Sequence, residues 1–121
     1  MISLKIIKLS FIVLLIDSIF LLNIYNLFNK QIIKVQGSPI QVNLFGAFMS
    51  YVFVILPLYW FIIKEKKSNL DAFILGISIF GLYEYTTLAL VKNWEIQTTI
   101  IDTLWGGCLF VIVKNIFENC S

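Results

Sequence analysis

Apolar residues run through this chain in four long stretches, and polar residues gather between them. The stretches cover approximately residues 6–28, 42–63, 70–91 and 98–117. Each is long enough to cross about 30 Å of hydrocarbon as an α-helix. The pattern predicts an all-α membrane protein, a four-transmembrane-helix bundle forming a single integral membrane domain over residues 1–121. Pro57, near the end of the second stretch, predicts a kink because it withholds one backbone donor. Bundled neighbours compensate for such a loss in membranes.

The connections are short. Residues 29–41 contain Gly37-Ser38-Pro39, a turn signal, and their first part, 30–35, reads as a short interfacial segment. Residues 64–69 form a charged turn in which Ser68 or Asn69 is available to cap the third helix. Asp71 then suits that helix's positive end. Residues 92–95 close the third connection, with Trp94 expected at the headgroup interface. So short a turn makes the third and fourth helices antiparallel neighbours. Small residues four apart (Ala72 and Gly76, Gly46 and Ser50, Thr103 and Gly107) allow close helix packing, within the chain first and between copies second.

Composition agrees with lipid as the solvent. The chain is 60% hydrophobic and 13% charged, about half the charged fraction of a soluble domain. Its mean hydropathy is +0.92. The length of the first stretch, its mid-span Asp17 and the lack of a small-x-small site argue against a cleaved signal peptide. All nine basic residues are lysines. With the N-terminus inside, Lys5, Lys8, Lys64, Lys66, Lys67 and Lys114 are cytoplasmic and Lys30, Lys34 and Lys92 are outside. Lysine bias therefore predicts cytoplasmic N- and C-termini, N-in and C-in. A net charge of +2 carried by scattered lysines offers no nucleic-acid surface, so the expected partners are the lipid bilayer and a second copy or a membrane complex. Cys108 and Cys120, about 18 Å apart along one helix at 1.5 Å per residue, exclude an intramolecular disulfide.

Three acids sit inside the apolar stretches: Asp17, Glu84 and Asp102. A charge near the bilayer centre costs at least about 2.5 kcal/mol, so intramembrane acids mark functional sites by default. Counting along the helices puts Asp17 near mid-span, Glu84 about 10 Å and Asp102 about 6 Å from the outer ends of their spans. The depths are compatible, and Glu84 and Asp102 fall on helices that share an interface. Asn23, Tyr83, Thr86, Thr87 and Trp105 lie close enough in sequence or depth to join them in a polar site opening outward, with Lys92 near its mouth. Two carboxylates at close range cannot both keep their charge cheaply, so a shared proton is expected there.

Three functional readings follow. The first is a small transporter, or an ion- or proton-binding bundle, with an intramembrane carboxylate cluster. Four helices enclose only a narrow path, so this reading implies an oligomer. The second is a structural or accessory subunit of a larger complex, or of a viral or organellar envelope, with the acids as interhelical glue. The third is a carboxylate-dependent enzyme acting on a membrane lipid. Carboxylates alone suit a hard divalent cation, but there is no His, CxxC, HExxH or phosphate-binding glycine loop, and no motif calls for a cofactor.

Local motifs add a resemblance. Residues 83–94, Tyr-Glu-Tyr-Thr-Thr-Leu-Ala-Leu-Val-Lys-Asn-Trp, look like the Tyr-Asp-x-Thr-Asn-x-Ala-Thr-Leu-Lys-x-Trp of DUF2177, a family of small integral membrane proteins. Residues 99–106, Thr-Ile-Ile-Asp-Thr-Leu-Trp-Gly, look like its Thr-Leu-Val-Asp-x-x-Trp-Gly, and residues 16–21 resemble its Leu-Asp-x-x-Trp-Leu. The chain departs from those motifs at Glu84 for Asp, Thr87 for Asn and Phe20 for Trp. The resemblance implies a four-helix membrane bundle with carboxylates at three places, and it carries no activity.

Overall fold

The computed structural model describes residues 2–120. Its order is α1 (Ile2–Gln36), α2 (Leu44–Pro57), a π-helical segment (Leu58–Ile63), α3 (Asn69–Leu90) and α4 (Ile96–Asn119). Four helical spans are long and apolar enough to cross a membrane, the second made by α2 and the π-helical segment together. Their outer surface carries Leu22, Phe11, Leu44, Phe45, Leu82 and many other exposed large apolar side chains. In water such a surface promotes association; in hydrocarbon it is the solvent-facing side.

The first helix is longer than its hydropathy predicts. Its 35 residues extend about 52 Å, well beyond a bilayer core of about 30 Å. Residues 30–35, read as a short interfacial segment, are the last turns of α1 and continue it without a break. Gly37, at φ 77°, then turns the chain in a left-handed conformation that glycine adopts without a Cβ penalty.

Pro57 ends α2 as a regular helix and does not end the span. Its missing N–H leaves the Phe53 carbonyl without its usual donor. The chain widens into the π turn, where the Lys64 amide donates to the Tyr59 carbonyl at 2.9 Å, five residues back. This buries Leu58, Tyr59, Ile62 and Ile63, whereas α2 itself buries none of its residues. Ser68 caps α3, its hydroxyl accepting from the Asp71 amide at 3.1 Å.

Helices α3 and α4 form the tightest pair, and glycine is the reason. A Cβ added at Gly76 would collide with the Gly106 carbonyl and approach the Gly107 Cα to 2.9 Å. Across the same seam, Phe73 and Ile77 cover Gly107, and Phe80 covers Gly106. Phe80 also meets Phe110 edge-on, with ring centroids 6.5 Å apart. Small residues let the two backbones touch, the usual basis of helix association in lipid. Gly46 and Ser50, by contrast, lie on an exposed face, where Ser50 donates to the Gly46 carbonyl of its own helix. The apolar core of Leu9, Val13, Leu58, Leu109, Phe110 and Val113 joins α1, the π turn and α4.

Candidate functional site

All four helical spans contribute to one polar layer. Asp17 of α1 is buried, with 8% of its surface exposed. Tyr51 of α2 donates its hydroxyl to Oδ2 at 2.6 Å, and Trp105 of α4 donates its indole N–H to Oδ1 at 2.8 Å. Both carboxylate oxygens therefore have a donor, each from a different helix. Hydrogen bonds to an ionised acceptor are about twice as strong as neutral ones. Phe20, three residues after Asp17 and so on the same face of α1, stacks on Trp105 with ring centroids 4.2 Å apart. The indole is thereby held against α1 at both its face and its N–H.

Asp102 lies three residues before Trp105 on the same face of α4. Its carboxyl meets that of Glu84 of α3 at hydrogen-bond range, and it also lies within electrostatic reach of Asp17. Glu84 is 1% exposed. Its Oε1 accepts from the Trp94 indole N–H at 3.1 Å. Trp94 reaches back because Asn93, at φ 69°, reverses the chain immediately before it, in a conformation that asparagine tolerates better than most side chains. Trp94 lies in the turn between the spans and gives its indole N–H to an acid ten residues earlier. Nearby, the Thr103 hydroxyl is buried with no hydrogen-bond partner among the described residues.

A second polar cluster fastens the end of the bundle that carries the α3–α4 turn. Gln31 of α1, 1% exposed, donates to the Asn93 carbonyl at 2.8 Å and accepts from the Glu95 amide and the Thr98 hydroxyl, both at 2.9 Å. Lys34 pairs with Glu95 at 3.0 Å alongside. The overlong α1 therefore grips the turn that carries Trp94, and through Trp94 it fixes Glu84.

Of the residues that the sequence proposes for the site, the structure brings together Asp17, Glu84, Asp102 and Trp105. Asn23 is exposed and donates to the Ile19 carbonyl of its own helix, and Thr87 likewise donates to the Tyr83 carbonyl. Thr86 is exposed. Tyr83 points outward, although both Glu84 and Asp102 lie within electrostatic reach of it. Sequence reasoning passed over Tyr51 and Gln31. Tyr51 sits beside Ser50 near the middle of a span with few other polar groups, and of the two only the long tyrosine side chain can reach a neighbouring helix. No cluster of three or more His, Cys, Asp or Glu side chains suited to a metal ion occurs among the described residues.

A family model described as a predicted membrane protein, DUF2177, matches residues 2–116. The chain belongs to the DUF2177 family. No curated protein and no solved structure matches it. In this DUF2177 protein the motifs around Asp17, Glu84 and Asp102 are the parts that converge on the polar layer.

The Tyr51–Asp17 bond is testable by a double-mutant cycle with Tyr51→Phe and Asp17→Asn, read by reversible unfolding in mixed detergent. We expect a coupling energy between about 0.6 and 1.7 kcal/mol, from the average to the largest value for interhelical hydrogen bonds in membranes. Asn23→Ala, which removes a bond confined to α1, should change stability by less than about 0.5 kcal/mol. A Tyr51–Asp17 coupling near zero would show that the two side chains do not meet.

Proposed function

We propose that this membrane protein is a small ion-coupled transporter or permeation subunit in which Glu84 and Asp102 hold a transferable proton. The meeting of their two carboxyls inside the bundle carries the reading. Two ionised carboxylates have no hydrogen to share, so a bond between them requires one proton. Trp94 supports the pair by donating to Glu84, and Asp17 supplies a nearby negative charge that favours a cation or proton in the layer. One chain makes a thin bundle in which α2 buries none of its residues, so several copies, or a partner in a membrane complex, belong to this reading.

A second reading, a structural or accessory subunit, draws on Asp17. With both oxygens held by donors from α2 and α4, that acid acts as a staple between helices. The two roles are separable because the acids are satisfied differently.

Flux measurements distinguish the readings. Glu84→Gln and Asp102→Asn keep a hydrogen bond across the pair, since an amide N–H replaces the shared proton, and both variants should fold. Proton flux in proteoliposomes should fall at least about a hundredfold in either, the low side of what loss of a proton-transferring group does to a rate. Equal flux in variant and parent would leave the structural reading in its place. The proposal also takes the termini as cytoplasmic, on the lysine bias of six against three. In a Cys108→Ser background, a membrane-impermeant maleimide should label Cys120 only after the cytoplasmic face is opened. Labelling from the outer face of intact cells would reverse the orientation.

A further inference from the structure

The lysine-rich end of the bundle contains a groove of about 550 Å³ that is independent of the acid layer. Four lysines reach it from two directions: Lys5 and Lys8 from the start of α1, Lys64 and Lys66 from the turn after the π-helical segment. Glu118 is the acid on its wall, and its carboxylate also holds Lys114 at 3.0 Å. The groove therefore has a positive rim. Its inner wall is apolar, with Tyr59 placed there by the π turn and Phe117 by the last turns of α4.

The lysines are held in place. Lys8 donates to the Phe117 carbonyl at 3.2 Å and lies 4.5 Å over the Phe117 ring. Lys64 lies 3.6 Å over the Trp60 ring. Lys66 has φ 51°, a left-handed conformation that glycine would adopt at lower cost, yet a lysine occupies it. Glu65 lies 3.8 Å from Lys64, so with Glu118 two carboxylates face the four lysines, and the net positive charge left over favours an added anion.

We propose that this groove binds the phosphate headgroup of an anionic phospholipid, with the lysines around the phosphate and an acyl chain leading along the apolar wall to the hydrocarbon. Charge complementarity selects an anion. Position selects a lipid over a soluble phosphate, because the groove opens at the end of the spans and its apolar wall belongs to the helices that face the acyl chains. Basic residues at this level of a membrane attract anionic headgroups and discriminate little among neutral ones. The inference does not depend on the proton-holding role of Glu84 and Asp102, and the groove residues lie outside the acid layer.

The test is native mass spectrometry of the full chain in neutral detergent with phosphatidylglycerol or phosphatidylcholine. The parent should retain phosphatidylglycerol preferentially. Lys5→Gln combined with Lys66→Gly should lower that preference about 25-fold, taking about fivefold per basic residue removed. Lys66→Gly alone relieves a left-handed backbone, so it should lower the preference about fivefold without loss of thermal stability. Lys92→Gln, at the opposite end, should leave the preference unchanged. Equal retention of the two lipids by the parent, or an undiminished preference in the double variant, would overturn the proposal. Displacement of phosphatidylglycerol by millimolar inorganic phosphate would also overturn it, by making a soluble phosphate the occupant.

Discussion

A carboxylate inside hydrocarbon must find a donor, a proton or water, and three of them set the geometry of this bundle. Leaving one of them unpaired would cost several kcal/mol. Asp17 meets the demand with two neutral donors, Tyr51 and Trp105, drawn from two other helices. Glu84 and Asp102 meet it with each other and with Trp94. Each solution constrains how the helices rotate about their axes. Tyr51 can reach Asp17 only with its side of α2 against α1, and Trp105 can do so only with the Asp102 face of α4 turned inward. That same rotation brings Asp102 to Glu84.

The glycine seam makes the second meeting possible. Asp is a short side chain, and two acids on neighbouring helices touch only where the backbones are close. Gly106 lies four residues from Asp102, and Gly76 lies eight from Glu84 on the facing helix. Close approach at the seam holds α3 and α4 together through the turn beyond it. At the end that carries the α3–α4 turn Gln31 finishes the arrangement, since its three hydrogen bonds fasten that turn to α1 and keep Trp94 over Glu84. Removing Gln31 would therefore disturb an acid that it never touches. The apolar core occupies the other half of the bundle, where the buried Lys114 is held by Asn69 and Glu118.

Much of this architecture is legible in the sequence because lipid makes the hydropathy signal strong. The spans and the antiparallel α3–α4 pair follow from apolar length and from one short turn. The convergence of Glu84 and Asp102 follows from counting depth at 1.5 Å per residue. What escapes such counting is rotation and reach. Asn23 and Thr87 have suitable depth, yet both bond back to their own helices, the local alternative always open to short polar side chains. Trp94 reads from the sequence as a residue of the turn, and its bond to Glu84 depends on the left-handed Asn93 beside it, which residue type alone does not reveal. Gln31 reads as interfacial because Lys30 and Lys34 flank it; its partners lie more than sixty residues away. Neither a hydropathy window nor a helical period registers a partner at that distance.

The central claim is that one proton is held between Glu84 and Asp102. Infrared difference spectroscopy in reconstituted bilayers at neutral pH tests it directly, by the C=O stretch of a protonated carboxyl. The account predicts such a band in the parent protein, lost in both Glu84→Gln and Asp102→Asn and retained in Asp17→Asn. A parent spectrum with ionised carboxylates alone, or a band that survives in both pair variants, would contradict it.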